Sequence, residues 1–224
     1  MSDVESLVDE SLVDASGFES LSGKVDLPFP EYDEPPSEPL QLVRSWLSEA
    51  REIGVREPSA LALATADSRG RASNRVVAIT DVTDLGLVFS SHSCSQKGRE
   101  LAATGWASGL LYWRETGQQI ILSGPVVLLP DAESDALWSA RAIPLHAMST
   151  VTRQSEPLED VEALRARARS LELTGAPQPR PEFFVGYRLQ PVVVEFWSAS
   201  SDRLHRRLRY DHDSLEWRTS RLQP

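Results

Sequence analysis

Two clusters of side chains in this chain have the types and spacing for ligand chemistry. The first is Ser93-Cys94-Ser95-Gln96-Lys97-Gly98-Arg99-Glu100, which sets hydroxyls, an amide and one of only two lysines at the start of an expected helix. A helix N-terminus carries unpaired N–H donors and partial positive charge, so this grouping suits a phosphate. The same residues would also make an ordinary capped helix with charges facing water. The second cluster is Arg203-Leu204-His205-Arg206-Arg207-Leu208-Arg209, a dense basic run that follows the packed strand ending Glu195-Phe196-Trp197. It could meet anionic groups, or serve as a charged edge strand that resists pairing with other chains. Arg75 leads a strand and is either a further anion contact or a surface residue. Gln118-Gln119 opens another strand, and Gln154-Ser155 ends a polar stretch. Amides at such places satisfy backbone groups or hydrogen-bond a flat heterocycle.

These residues have to be positioned by mostly short, β-patterned elements. Pro39 suits the first turn of a helix with Ser37 as N-cap. Leu40, Val43, Trp46, Leu47, Ala50 and Ile53 would form its buried face, and Gly54 its end. From Ala60 the period changes to two. Strands are expected at 60–66, 73–81 and 87–91, with a helix capped by Ser93 or Ser95 running to Thr104. Ala107–Trp113 and Gln118–Leu129 read as a hairpin through Glu115-Thr116-Gly117. A helix starts near Asp131, the stretch 146–155 reads as polar and irregular, and an Arg/Glu-rich helix covers 157–172. Closing strands are expected at 184–189, 192–197, 204–210 and 217–221. Many antiparallel strands with helices inserted predict a mainly β (α+β) fold, a small closed barrel with peripheral helices.

Composition narrows the function classes. The chain has 224 residues and a net charge of −10. Residues 1–38 hold eleven acidic residues and one basic one, so they carry all of that charge, and 39–224 balance at 22 of each sign. Residues 1–38 therefore read as an acidic, mobile N-terminal arm, with the duplicated Glu-Ser-Leu-Val-Asp at 5–14 and a Pro-rich end. Its apolar spots Leu7, Leu12, Phe18 and Leu21 could dock on a partner. Residues 39–224 read as one domain. No apolar run is long enough to span a bilayer and no signal peptide is visible, so a cytoplasmic protein is expected, with no membrane partner. The balanced body gives no reason to expect a nucleic-acid partner. Cys94 is the single cysteine, which excludes an intrachain disulfide. His92, His146, His205 and His212 lack ligand spacing, so no metal is expected and each reads as a surface or site residue. No Gly-rich loop suggests a dinucleotide.

The order of motifs is more specific than any one of them. Arg75-Val76-Val77, Val88-Phe89-Ser90-Ser91, Ser95-Gln96-Lys97, Gln118-Gln119-Ile120-Ile121-Leu122-Ser123-Gly124, Arg153-Gln154-Ser155, Glu195-Phe196-Trp197, Arg203-Leu204-His205-Arg206-Arg207 and the terminal Arg221-Leu222-Gln223-Pro224 follow in sequence. This series, over about residues 36–224, resembles the pyridoxamine 5′-phosphate oxidase family of FMN proteins. The resemblance implies an FMN-binding split β-barrel and a homodimer with FMN at the subunit interface. It implies FMN contacts at Arg75, Val76, Val77, Ser90, Ser91, Gln96, Lys97, Gln119, Gln154, Ser155, Trp197 and Arg207. Arg203 and His205 match the pair that lies against the substrate, over the flavin.

Departures from the family pattern fall on its substrate side. The phosphate-binding lysine is Thr80 here, and the substrate-contacting tyrosine and serine are Leu137 and Leu145, while the arginine between them is kept as Arg141. A phosphate dianion would lose a charge-assisted donor and two hydroxyls by these changes. Trp113 to Leu122, Pro28 to Tyr32 and the terminal tetrapeptide resemble the flavin oxidases of phenazine biosynthesis. That implies oxidation of a hexahydro- or tetrahydrophenazine carboxylic acid, with O2 as acceptor and H2O2 as product. Arg141, Leu145, Arg203 and His205 would contact the tricyclic carboxylate, Arg203 orienting it and His205 assisting proton movement. A pyridoxine or pyridoxamine 5′-phosphate oxidase and a non-catalytic FMN-binding protein are the alternatives.

Overall fold

The computed structural model describes residues 27–213 and 215–224. A helix, α1 (Pro39–Ile53), leads into the strands β1 (Ala60–Ala66), β2 (Ala72–Thr83) and β3 (Gly86–His92), then α2 (Gln96–Thr104). The hairpin β4 (Trp106–Trp113) and β5 (Gln118–Leu128) follows. Next come α3 (Asp131–Ala140), α4 (His146–Val151) and α5 (Val161–Glu172), and finally β6 (Phe184–Leu189), β7 (Val193–Ser198), β8 (Arg206–His212) and β9 (Trp217–Arg221).

Six antiparallel strands close a barrel in the order β4-β1-β2-β3-β6-β5, with β4 pairing back onto β5. Full closure leaves no free edge in the ring. Each strand turns alternate residues inward, so β1 buries Leu61, Leu63 and Thr65 and turns its alanines outward. Leu61, Leu63, Leu87, Phe89, Leu111, Ile120, Leu122 and Leu189 fill the barrel.

β5 is where the barrel splits. Gln118–Ser123 pair with β7, whereas Val126–Leu128 pair with β6. The change falls at Gly124-Pro125. Pro125 has no N–H to donate, and a Cβ on residue 124 would lie 2.1 Å from the Gln190 carbonyl oxygen, so only glycine fits the crossing. β8 and β9 extend the sheet beyond β7.

Most expected elements are present, with differences that have local causes. The N-cap of α1 is Glu38, not Ser37, and Ile53 is 48% exposed because the helix ends there, beyond the barrel. Residues 28–38 lie against the body. Phe29 is buried and meets Trp46 edge-on at 4.9 Å, and Trp46 meets Phe196 at 5.1 Å. The Tyr210 hydroxyl donates to the Pro36 carbonyl at 3.1 Å. Polarity hid this docking, since two aromatics in a Pro/Glu-rich stretch do the anchoring. The duplication and Leu7, Leu12, Phe18 and Leu21 lie outside the described residues.

The stretch 146–155 is not irregular throughout, because residues 146–151 form α4. His146 is buried rather than a surface or open-site residue. Its ring stacks on Trp138 at 4.2 Å, Nε2 lies 3.1 Å from the Arg141 carbonyl and Nδ1 accepts from the Gln178 N–H at 3.3 Å. The strand expected from Leu204 begins at Arg206. Arg203, at φ +65°, and the Asp202 carboxylate, which accepts from the Leu204 N–H at 2.9 Å, hold a turn that keeps Arg203, Leu204 and His205 off the strand.

Candidate functional site

The loop from His92 to Ser95 turns from β3 directly into α2. Ser95 caps the helix, its hydroxyl accepting from the Gly98 N–H at 3.2 Å and donating to the His92 carbonyl at 2.7 Å. The loop lies so close to the first turn that a Cβ on residue 98 would sit 2.3 Å from the Ser93 carbonyl oxygen. Glycine at 98 therefore lets the strand end and the helix start share one small volume.

Five of the expected contact residues meet there. Lys97 Nζ donates to Ser91 Oγ at 3.0 Å, to Gln154 Oε1 at 3.3 Å and to Ser95 Oγ at 3.4 Å. Ser91 Oγ donates to Gln154 Oε1 at 3.3 Å. The Gln96 N–H donates to Ser155 Oγ at 3.1 Å, with Ser155 held at φ +70°. A serine in the left-handed region carries a local backbone cost, and here it brings the hydroxyl over the helix start. Burial, then the nearby Arg75, push the Lys97 ammonium below its usual pKa. Among the described residues Lys97 donates only to uncharged oxygens. A half-buried cation at a helix N-terminus, without a carboxylate, fits a phosphate group.

Arg75 belongs to the layer beneath. Its guanidinium pairs with Glu100 at 3.2 Å and donates to the Leu63 carbonyl at 3.2 Å and to Ser73 and Thr65. Glu100 also accepts from Ser73 at 2.6 Å, from Thr65, and from Gln96 Nε2 at 2.9 Å. Burial alone would raise the Glu100 pKa, but the hydrogen bonds from Ser73, Thr65, Gln96 and Arg75 outweigh it and pull the carboxyl down to about 2. The sequence assigns Glu100 no role within its cluster. Its place one turn after Gln96 was the available signal. Val76 is 67% exposed on the outer face of β2 while Val77 is buried, and Ser90 faces Gly186 across β3 and β6.

The C-terminal cluster forms a second group. Gln119 on β5 lies opposite Trp197 on β7, and Trp197 opposite Arg207 on β8, so the three side chains form a row across one face. The His205 ring lies 4.8 Å from that of Trp197, and its Nδ1 accepts from the Ser200 N–H at 3.1 Å. That bond places the proton of the neutral ring on Nε2. Arg207 donates to the buried Glu195 at 2.7 Å and to the Gln223 carbonyl at 3.0 Å, so the terminal tetrapeptide wraps its guanidinium. Arg203 is exposed in the adjoining turn. Among the described residues, Ser91, Gln96, Lys97, Gln154 and Ser155 make no hydrogen bond with Gln119, Trp197, His205 or Arg207.

Arg141 sits between the clusters in sequence, at the C-cap of α3. Its Nε is buried without a hydrogen-bond partner, one terminal nitrogen donates to Ser149 at 3.3 Å, and burial lowers its pKa. Leu145 is 50% exposed. Leu137 packs down onto Gly186, and Thr80 donates to the Val88 carbonyl at 3.1 Å. No group of three or more metal-ligating side chains occurs among the described residues, and no helix there is long and apolar enough to cross a membrane.

Comparison with known proteins gives this arrangement a context. Residues 47–175 match the family model described as pyridoxamine 5′-phosphate oxidase. Residues 184–224 match the pyridoxine 5′-phosphate oxidase C-terminal dimerisation region. The dihydrophenazinedicarboxylate synthase of Burkholderia lata is 59% identical over 95% of this chain and 100% of its own length. A pyridoxine/pyridoxamine 5′-phosphate oxidase of Paraburkholderia phytofirmans is 39% identical over 83% of this chain and 89% of its own. The crystal structure of PhzG from Burkholderia lata 383 in complex with tetrahydrophenazine-1-carboxylic acid superposes with a TM-score of 0.89 at 59% identity, covering 90% of this chain and 100% of that one. A pyridoxamine 5′-phosphate oxidase-related, FMN binding protein from Nostoc punctiforme shares the fold, with a TM-score of 0.69 at 19% identity over 82% of this chain and 96% of that one.

Proposed function

The chain belongs to the pyridoxamine 5′-phosphate oxidase family, and we propose that within it this protein is an FMN-dependent oxidase of phenazine biosynthesis. Its substrate is a reduced phenazine carboxylic acid, with O2 as acceptor and H2O2 as product. The observation that carries the reading is the near full-length 59% identity to a dihydrophenazinedicarboxylate synthase, against 39% to a vitamin B6 oxidase. Thr80, Leu137 and Leu145 agree with it, because all three replace donors that a phosphorylated substrate would use.

The residues present fit FMN. The cationic, carboxylate-free seat formed by Lys97, Ser91, Gln154 and Ser155 suits its phosphate, and the row of Gln119, Trp197 and Arg207 suits a flat heterocycle with polar edges. FMN, when bound, supplies the two-electron acceptor for the reduced ring and passes the electrons on to O2. The chain holds, orients and desolvates. Arg203 orients a substrate carboxylate, the Arg141 guanidinium meets another, Leu145 gives an apolar wall, and His205 holds a proton on Nε2. Among the described residues the two groups make no hydrogen bond with each other in one chain, and the outer face of β2 and β4 exposes Val76, Trp106 and Tyr112. Both features support a homodimer in which a second copy completes each site, and the match to a dimerisation region agrees.

The test is oxygen uptake by the FMN-loaded protein with freshly prepared reduced phenazine carboxylate, against a protein-free control and against pyridoxine 5′-phosphate. Uptake well above the control with the phenazine acid is the expected result. Uptake with pyridoxine 5′-phosphate alone would assign the vitamin B6 reaction instead. The Arg203→Ala protein, still holding FMN, is expected to lose turnover, and unchanged turnover would remove its proposed role.

A further inference from the structure

We propose that His92 is a further residue of the site, a buried imidazole behind the Lys97 seat whose hold on a proton strengthens when an anion binds there. The inference rests on the phosphate-seat reading above but concerns a residue that reading does not use. His92 is the last residue of β3 and is 1% exposed. Both ring nitrogens are buried, and neither has a hydrogen-bond partner. A neutral imidazole has one donor and one acceptor. Leaving both unpaired in the interior costs free energy that a structure ordinarily avoids.

The surroundings show what is missing. The ring packs against Phe183 at 4.7 Å, and the Arg153 guanidinium lies over that same Phe183 at 5.2 Å. Three cations from three separate segments bear on the imidazole: Lys97 from α2, Arg141 from the end of α3 and Arg153 from the segment after α4. Among the described residues, none of the three makes a salt bridge. Burial, then Lys97, Arg141 and Arg153, push the ring down to about 4, so it is neutral at physiological pH. Positive charge thus converges on a buried group that has room for a proton and no acid to hold it.

An anion seated against Lys97 changes the balance. It cancels the repulsion that Lys97 exerts and adds an attraction of its own. The ring then takes a proton from solvent at a higher pH than in the empty protein, and protonation turns one orphaned acceptor into a donor. The chemistry recognised is an anion of phosphate type, whether free or carried by a nucleotide-like cofactor. No bond to the anion forms, and one proton moves from water to the imidazole.

Proton NMR of the imidazole Cε1–H signals tests this, with the His92 signal identified by its loss in His92→Phe, or in His92→Gln should the first variant not fold. FMN, inorganic phosphate and riboflavin are the probes. Without ligand, the His92 signal is expected to stay in its neutral position down to pH 5.5. With saturating FMN or phosphate its midpoint should rise by about 1 unit or more, and riboflavin, which lacks the phosphate, should leave it in place. The ratio of wild-type to His92→Phe affinity for FMN should also rise as pH falls from 6 to 4, by up to about tenfold in all for a one-unit rise in midpoint. A midpoint unmoved by bound FMN and by phosphate, or an affinity ratio that is flat with pH, overturns the proposal while leaving the flavin reading intact. A shift with phosphate, together with no FMN binding at all, supports the proposal and removes the flavin reading alone.

Discussion

Replacing Lys97 by methionine separates a ligand-binding role from a structural one. The ammonium makes three hydrogen bonds, all to uncharged oxygens, and burial and Arg75 both disfavour its charge. Its folded-state pKa therefore lies below the unfolded value, so at neutral pH the charged lysine costs the empty protein stability rather than adding it. The apo variant should melt at the same temperature as the wild type or higher. A bound phosphate reverses the sign, because it supplies the negative partner that the seat lacks. A hydrogen bond to a charged group contributes about 1.5–3 kcal/mol, which corresponds to about 10- to 150-fold in affinity. Titration by quenching of flavin fluorescence should show FMN weakened by that factor and riboflavin unaffected. Equal loss for both flavins would place Lys97 against the ring rather than the phosphate. Unchanged FMN affinity with a lowered melting temperature would make Lys97 a structural residue and refute the seat.

Four further outcomes follow from the same geometry. Glu100 is held at about 2, so its stabilisation is present above the unfolded carboxyl value near 4.3 and is lost as pH falls through about 2; melting temperature against pH should fall more steeply below pH 5 in the wild type than in Glu100→Gln. At neutral pH that variant leaves the Arg75 guanidinium short of its charged partner and should lose about 1–3 kcal/mol in urea unfolding. Gly98→Ala must push the Ser93 carbonyl away, and it should cost about 1–3 kcal/mol and weaken FMN binding together. Phe29→Ala removes a buried ring from the Trp46 contact and should cost about 3–5 kcal/mol by the same assay, whereas a loss within 0.5 kcal/mol would mean that residues 28–38 do not hold to the body in solution.

Local pattern carried much of this protein. The alternation in 60–66, the hairpin around Thr116-Gly117 and the cap before Gln96 rest on contacts between residues near in sequence, and they are legible for that reason. So are Ser91, Gln96, Lys97, Gln154 and Ser155 as a set, through an ordered series of motifs, although nothing local says that residues about 60 apart would meet. The split in β5 is half legible, since Pro125 marks a break but not which strands flank it. The folded chain alone decided that Arg75 pairs with Glu100 beneath the seat, that His146 stacks on Trp138, and that His92 is buried with three cations around it. Each depends on segments distant in sequence packing side by side, where burial and charge add through space. A histidine in a linear string has the same neighbours whether it ends on the surface or in the core. Its protonation is set by what surrounds it in three dimensions, and that became definite only when the barrel closed.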